Sequence, residues 1–179
     1  IEKYRRETLL TKEPETIKWI ESFSDSVGSF IDVGSNMGIY SLFAAKKNLK
    51  LNVFAFEVYT PTYFLMYQNI KLNGFKNITP INSGLLDKGK VSKLIINDQR
   101  PAGSGNQLIE DTDDLYDNVL TFSLDDFINM YDISTPINIK IDIDGLEKEV
   151  IEGVKLNLKE KKIESLLIEI DYDKNAEEI

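Results

Sequence analysis

Short β-rich runs alternate with helical segments along most of the chain. The runs at 29–34, 51–57 and 137–143 predict buried strands: S-F-I-D-V-G, L-N-V-F-A-F-E and I-N-I-K-I-D-I. Apolar residues at helical spacing predict helices over 37–47 and 146–158. Because parallel strands need crossover connections that are usually helices, this alternation predicts an α/β fold. We expect a doubly wound, mostly parallel sheet with helices on both faces.

Composition excludes several kinds of function. The 179 residues contain no cysteine and no histidine, which excludes disulfides, Cys/His zinc sites and catalytic triads that use imidazole. The formal charge of -9 would repel a phosphate backbone, so nucleic acid is not an expected partner. The most apolar stretch is interrupted by Glu57 and Pro61, so we expect no membrane span and a soluble, cytoplasmic protein.

The turn after the first predicted strand has the features of a ligand site. In D-V-G-S-N-M-G, Gly34 allows a tight turn and Gly38 lets the start of the next helix come close to a ligand. Glu57 ends the second strand 19 residues past Gly38, the offset at which an acid can hold ribose hydroxyls. Together these features predict a nucleoside cofactor.

Two positions in the same turn distinguish between cofactors. Asn36 stands where the dinucleotide motif has its middle glycine, which lets the backbone approach a pyrophosphate. A cofactor with an amino-acid end is less demanding, and Asp32 could face its ammonium group. The pattern therefore favours S-adenosylmethionine over NAD.

Six short segments follow one another in order along residues 30–171. They are D-V-G-S-N-M-G-I-Y-S, A-F-E, N-I-K-L-N-G, S-L-D-D, K-I-D-I-D-G-L-E and L-L-I-E-I. In this order they resemble the FkbM-type methyltransferases. The resemblance implies a class I, Rossmann-like fold that uses S-adenosylmethionine to methylate a hydroxyl, often on a sugar or a natural product.

The resemblance also implies roles for individual residues. It places four residues around the methionine half of the cofactor: Asp32, Gly34, Asn36 and Gly38. Glu57 would hold the ribose. Ser83 and Gly84, at the turn of N-S-G-L-L-D, would lie near the adenine.

The segment K-I-D-I-D-G-L-E is the best candidate for the chemistry. Lys140, Asp142 and Asp144 alternate, so on a strand they would share one face beside the cofactor. Without histidine, we assign the general base to Asp142 or Asp144, with Glu147 as an orienting group. The alternative is that Asp144 and Glu147 only cap the helix that follows, where acidic side chains stabilise the positive end of the helix dipole. Asp142 with Glu169 or Asp171 at the neighbouring strand end could also bind magnesium, but nothing in the sequence requires a metal, and none is predicted.

The predicted organisation has two parts, an N-terminal helical segment at 1–28 and a Rossmann-like methyltransferase domain at 29–179. A class I methyltransferase usually continues past the strand at 163–171 into a helix and an antiparallel strand pair, and we expect this pair to be lacking. The polar connection at 98–117 is long for a compact domain, which favours a lid over an acceptor site.

Three functions from different classes remain open at this point. The leading one is an S-adenosylmethionine-dependent O-methyltransferase with a small-molecule or carbohydrate acceptor. The others are an NAD-dependent oxidoreductase and a catalytically silent Rossmann-like interaction module. Formation of a homo-oligomer is left open.

Overall fold

The computed structural model describes residue 8 and residues 11–103, 105–109, 112 and 114–169. Its helices are α1 (Pro14–Glu21), α2 (Ile39–Lys47), α3 (Thr60–Asn73), α4 (Leu124–Met130), α5 (Glu147–Glu152) and α6 (Lys155–Lys159). Its strands are β1 (Gly28–Val33), β2 (Leu51–Phe56), β3 (Ile78–Ile81), β4 (Gly84–Leu86), β5 (Lys90–Ile95), β6 (Gln107–Ile109), β7 (Tyr116–Ser123), β8 (Ile137–Ile141) and β9 (Ile163–Ile168).

The main sheet has five strands in the order β3-β2-β1-β8-β9, and every neighbouring pair is parallel. The chain builds outward from β1 to β3 and then returns to the other side of β1 with β8. This reversal leaves a crevice at the carboxyl ends of β1 and β8, the place where open α/β sheets bind ligands. The α/β fold with a mostly parallel sheet is confirmed.

A second sheet of four strands lies apart from the main one, in the order β4-β7-β5-β6. β4 and β7 are parallel, whereas the other two pairs are antiparallel. The segments V-S-K-L-I-I-N at 91–97 and N-V-L-T-F at 118–122 predict strands in this region, but the sequence does not predict a separate sheet. The difference arises because β4 pairs with β7 across about 30 residues of chain, and no local pattern reports such a pairing.

Alternate residues of the central strands enter two different cores. Ile31 and Ile139 point towards the helices that follow the second sheet, where they pack with Phe127 and Val150. Residues with the opposite parity, such as Phe30, pack with α1, α2 and α3. Asp32 and Lys140 have that second parity, so their polar side chains are directed into the layer under α2.

The predicted helix over 146–158 is interrupted. α5 ends before Gly153 and α6 starts after Val154. A Cβ on Gly153 would lie 2.2 Å from the Leu86 carbonyl oxygen, and the Asp125 amide donates to the Gly153 carbonyl at 2.7 Å. The Gly153 amide still donates to the Glu149 carbonyl, but the Leu156 and Asn157 amides donate to the Asp125 carboxylate instead of continuing the helix. The single predicted helix is therefore wrong.

The N-terminal helix is part of the main packing. Ile17 and Ile20 of α1 are buried in the same core as Phe30, and the Trp19 indole donates to Ser165 Oγ at 3.0 Å. The boundary predicted at 28–29 stays a prediction, and the expected absence of a C-terminal strand pair lies outside the described residues. No helix in the described part of the chain has both the length and the apolar character needed to cross a bilayer.

Candidate active site

A cavity of about 320 Å³ lies at the carboxyl ends of the central strands. Gly34 follows β1, Glu57 follows β2 and Asp142 follows β8, and all three line it. Its volume is within the range of small-molecule sites, about 300–1,000 Å³. The cavity therefore occupies the crevice that the strand order predicts.

Close backbone contacts define the floor of this cavity. Gly34 has a φ of 79°, and a Cβ there would lie 1.9 Å from the Asp142 carbonyl oxygen. The Gly34 amide donates to the Phe56 carbonyl at 3.1 Å, and the Asp142 amide donates to the Val33 carbonyl at 3.0 Å. Only glycine fits where these three strand ends meet.

Glu57 is buried and is held by backbone amides on both of its oxygens. Oε2 accepts from the Asn36 amide at 3.0 Å, and Oε1 accepts from the Tyr59 amide at 2.8 Å. These contacts stabilise an ionised carboxylate at the end of β2. Ser83 and Gly84 line the same part of the cavity. We call this part, defined by Glu57, Ser83 and Gly84, the Glu57 end.

Residues 97–103 and 105–109, which we call the cover segment, lie across the cavity. Within it, Gly103, Asn106 and Leu108 are lining residues. These residues belong to the long polar connection at 98–117, and its role as a lid over an acceptor site stays a prediction. The described part of the cover segment includes β6, so it is not entirely irregular.

Hydrogen bonds attach the cover segment to the site. They run from Asn36 Nδ2 to the Gly103 carbonyl (2.9 Å), from Tyr59 Oη to the Gln99 carbonyl (3.0 Å), from the Ala102 amide to Thr62 Oγ1 (3.1 Å) and from the Gly105 amide to Asp144 Oδ2 (2.6 Å). Asn36 thus makes two contacts in the site: its backbone amide donates to Glu57, and its side chain donates to the cover segment. Asp144 is exposed and contacts backbone at this rim.

The opposite part of the cavity is acidic. Carboxylate oxygens of Glu13, Asp142 and Glu169 lie within 4.8 Å of one another. We call these three residues the acidic end. Asp142 and Glu169 line the cavity together with Lys12, which pairs with Glu13 at 2.8 Å. Carboxyl groups that share a proton approach one another this closely, so the cluster does not by itself indicate a cation.

Lys140 lies beneath the acidic end. Its side chain is 1% exposed, its ammonium donates to Asp142 Oδ2, and it stands 5.0 Å from the centre of the Tyr40 ring. Burial alone would raise the pKa of Asp142, but the Lys140 charge and hydrogen bonds from Glu169 and Lys140 lower it below its usual range. The hydrogen bond with Asp142, added to partial burial, raises the pKa of Glu169 to about 7.

Asp32 lies behind this cluster and is not among the described residues that line the cavity. It is fully buried, and Ser41 Oγ donates to its Oδ2 at 2.6 Å. Oδ1 has no hydrogen-bond partner in the described part of the chain. Burial raises the pKa of Asp32, and the nearby Lys140 charge offsets this only in part.

Most of the predicted site residues line the cavity: Gly34, Asn36, Glu57, Ser83, Gly84, Asp142 and Asp144. Gly38 does not, since the space beside it is filled by Met66, whose Cγ would lie 2.9 Å from a Cβ at Gly38. Glu147 is buried and accepts from the Gly145 amide at 3.0 Å at the start of α5. β8 ends at Ile141, so the expected alternation along one strand face stops before Asp142 and Asp144.

Several lining residues were not singled out as site residues in the sequence. Tyr59, Thr62 and Leu108 come from a turn, a helix and the cover segment, and no local pattern marks them. Lys12 precedes α1 and reaches the site only through the packing of that helix. Glu169 had a signal, because it directly follows a buried strand that neighbours β8, as Glu57 follows β2.

Comparison with known proteins agrees with this architecture. A family model described as the Methyltransferase FkbM domain matches residues 32–178. No curated protein matches the sequence. Among solved structures, a precorrin-6y C5,15-methyltransferase from Geobacter metallireducens GS-15 has a TM-score of 0.51 at 12% identity, over 91% of this chain and 65% of that chain.

An rRNA methylase from Streptococcus thermophilus has a TM-score of 0.50 at 14% identity, over 89% of this chain and 71% of that chain. At these identities the likeness is one of fold, and no acceptor follows from it. The chain spans about two thirds of the length of the precorrin enzyme. The family match and the shared fold confirm the predicted methyltransferase family, the class I fold and S-adenosylmethionine as the cofactor.

Proposed function

Because the chain belongs to the FkbM methyltransferase family, we propose that it transfers a methyl group from S-adenosylmethionine to a hydroxyl of a sugar or another small acceptor. The observation that carries the proposal is the cavity itself. At one end it presents a buried, ionised carboxylate suited to hydroxyls, and at the other a carboxyl pair suited to receiving a proton. Both ends follow strands of the same parallel sheet.

The residues at the Glu57 end fit the cofactor. An ionised carboxylate offers about four acceptor sites, so Glu57 is suited to accept ribose hydroxyls in addition to its backbone amides. The absence of a side chain at Gly34 lets the Asp142 backbone pack directly against this turn. Ser83 and Gly84 lie where the adenine is expected, and Ser83 Oγ donates to the Leu120 carbonyl at 2.7 Å, which fixes that turn.

When bound, S-adenosylmethionine supplies a methyl group on a sulfonium, which an oxygen can attack in line while the C–S bond breaks and its electron pair stays on sulfur. The protein's task is then alignment and proton removal. In intramolecular reactions, alignment lowers barriers by about 7–11 kcal/mol. We assign proton removal to Asp142, which lines the cavity. Asp144 instead holds the cover segment in place, because its Oδ2 accepts a hydrogen bond from the Gly105 amide.

Charge favours a small, uncharged or cationic acceptor. The formal charge of -9 and the three carboxyls at the acidic end would repel phosphate-rich substrates. The cytoplasmic location remains a prediction, and the oligomeric state remains open. Family membership favours methyl transfer over the NAD-dependent reaction and over a silent module.

Titration calorimetry tests the cofactor part of the proposal. We expect the protein to bind S-adenosylmethionine and its demethylated product but not NAD, and Glu57→Ala to weaken binding about 100-fold, the loss of two charge-assisted hydrogen bonds. Glu164→Ala, an exposed glutamate on β9, is the matched control and should bind normally. Binding of NAD alone, or of no nucleoside, would contradict the proposal.

A transfer assay tests the acceptor. The protein is incubated with methyl-labelled S-adenosylmethionine and a mixture of monosaccharides and methyl glycosides, and products are identified by mass spectrometry. We expect a labelled methyl ether. Label on nitrogen or carbon, or no label despite cofactor binding, would refute O-methylation of a sugar.

A further inference from the structure

The ends of β8 and β9 bring two carboxyl groups together beside the cavity. The Glu169 amide donates to the Ile141 carbonyl at 2.9 Å, which continues the parallel pairing one residue past β9. The side chains of Asp142 and Glu169 then lie with oxygens within 4.8 Å of each other. Two carboxyls so close do not both ionise at their ordinary pKa, so one of them retains a proton.

Lys140 decides which of the two carries the charge. In the register of β1 and β8, Lys140 lies opposite Asp32, and its ammonium turns to Asp142. A buried cation in contact with Asp142 favours the ionised form of that carboxyl. The proton is therefore left on Glu169, as its raised pKa also indicates.

The other charged and titratable groups around the pair agree with this distribution. Glu13, ahead of α1, disfavours a second negative charge, and its partner Lys12 offsets it in part. Tyr40 of α2 stays neutral, because burial and a hydrogen bond with Glu13 raise its pKa. Asp32 of β1 shares Lys140 with the pair.

Exposure distinguishes the two members. Asp142 is half-buried and turned towards the cavity, whereas Glu169 is exposed at the strand end. Water reaches part of the Asp142 side chain, which is 32% exposed, but Glu169 is the more exposed member. Glu169 is therefore the more open route by which a proton received inside the cavity leaves to solvent.

Resting on the proposed function, we propose that Asp142 and Glu169 act as one carboxyl pair that carries a single exchangeable proton and accepts the proton of the acceptor hydroxyl. Glu169 is a catalytic residue that exchanges this proton with water, and Lys140 is a positioning residue that keeps the charge on Asp142. The pair becomes the proton acceptor once Glu169 has lost its proton to solvent. As the acceptor oxygen then forms its bond to the methyl carbon, its O–H bond breaks and the proton passes to the doubly ionised pair. Glu169 then releases the proton to solvent, which restores the pair.

The pair can be observed without any ligand. Carboxyl ¹³C resonances of glutamate-labelled, cofactor-free protein are followed by NMR against pH. We expect one glutamate to titrate near pH 7, this signal to vanish in Glu169→Gln, and it to remain in Glu164→Gln. Lys140→Arg should keep the titration within one pH unit, whereas Lys140→Met should shift it. A Glu169 that titrates near the ordinary glutamate value of about 4.3 would overturn the proposal.

The pH dependence of methyl transfer tests the catalytic role. With methyl-labelled S-adenosylmethionine and the monosaccharide mixture, the wild-type rate should rise about tenfold per pH unit below pH 7 and then level off. Glu169→Gln should lose this rise and be about 100-fold slower at pH 7, the usual contribution of a general base. Its dissociation constant for S-adenosylmethionine should stay within about twofold of wild type, since Glu169 lies away from the Glu57 end.

The results distinguish failure of the proposed carboxyl pair from failure of the proposed methyl transfer. If Glu169→Gln keeps the wild-type rate and pH profile, the pair is not the proton acceptor although methyl transfer is established. If wild-type protein transfers no methyl group to any sugar, the proposed function fails, while the NMR titration still decides whether the pair shares a proton.

Discussion

The two ends of the cavity stabilise carboxylates in opposite ways. At the Glu57 end, backbone amides of neighbouring turns bind both oxygens of one buried carboxylate. At the acidic end, a buried lysine binds Asp142, and Glu169 retains a proton beside it. Backbone donors do not titrate, so the hydrogen-bond donors at the first end are the same at every pH, whereas the charge at the second end depends on pH. Binding and proton transfer are therefore served by different electrostatic designs within one cavity.

The largest effect on stability and cofactor binding should follow from adding a side chain at Gly34, in the turn between the Glu57 end and the acidic end. Gly34→Ala adds a Cβ 1.9 Å from the Asp142 carbonyl oxygen at a φ of 79°. Backbone strain and overpacking together should lower the free energy of unfolding by about 4 kcal/mol. We expect S-adenosylmethionine binding to be lost as well. Urea denaturation and titration calorimetry measure the two effects.

Gly74→Ala is the matched control for this change. Gly74 has a φ of 70°, but a Cβ there would have no atom within 4 Å. Its cost should be the strain alone, about 1 kcal/mol, with normal cofactor binding. Equal losses in the two variants would show that the contact with Asp142 does not matter.

Removing the buried ammonium group of Lys140 should destabilise the folded protein at the acidic end. Lys140→Met leaves Asp32 and Asp142 without the charge that offsets their burial, so we expect a loss of about 3 kcal/mol in unfolding free energy at pH 8. Without the cation, the pKa of both carboxyls in the folded protein should rise above the unfolded values. Stability that depends on such groups is present at low pH and lost as the pH rises through the raised pKa, so the loss should be smaller at pH 5.

Two variants check this interpretation. Lys140→Met combined with Asp32→Asn removes one of the unpaired charges and should recover part of the stability. Lys71→Met removes a lysine that contacts Tyr67 on the surface of α3, and it should change stability by less than about 0.5 kcal/mol. A loss at pH 5 as large as that at pH 8 would rule out the electrostatic explanation.

The sequence could predict the Glu57 end better than the acidic end. Gly34 and Glu57 lie in turns at strand ends, which can be recognised from the neighbouring residues in the sequence, and both line the cavity. The acidic end combines residues that follow β8 and β9 with Glu13 ahead of α1, and it rests on Lys140 of β8. The period of two along strands places Asp32 and Lys140 on one sheet face, but their burial depends on α2 packing over them. Long-range packing of this kind leaves no local pattern.

A prediction of intermediate size compares the Glu57 carboxylate, which backbone amides bind, with the titrating carboxyl pair at the acidic end. Glu57→Gln replaces one carboxylate oxygen by an NH₂ group, which cannot accept from the Asn36 or Tyr59 amide. We expect S-adenosylmethionine affinity to fall about 30-fold, which corresponds to about 2 kcal/mol. Because backbone donors do not titrate, the ratio of wild-type to variant affinity should be the same at pH 6 and pH 8. A ratio that changes with pH would show that the two ends are not electrostatically distinct.

The smallest effect should come from loosening the cover segment over the Glu57 end. Thr62→Val keeps the shape of a buried side chain but removes the oxygen that accepts from the Ala102 amide at 3.1 Å. Loss of one such bond costs about 1 kcal/mol, so hydrogen exchange of the Ala102 amide should quicken about fivefold and cofactor affinity should fall by a similar factor. Thr60→Val, whose hydroxyl donates to Asn82 outside the cover segment, is the control. The pKa of Glu169 should be unchanged in both variants, because the Gly105 amide of the cover segment contacts Asp144 at the rim and not a carboxyl of the acidic end. A shifted Glu169 titration in Thr62→Val would mean that the cover segment couples the two ends and that binding and proton transfer are not separable in this cavity.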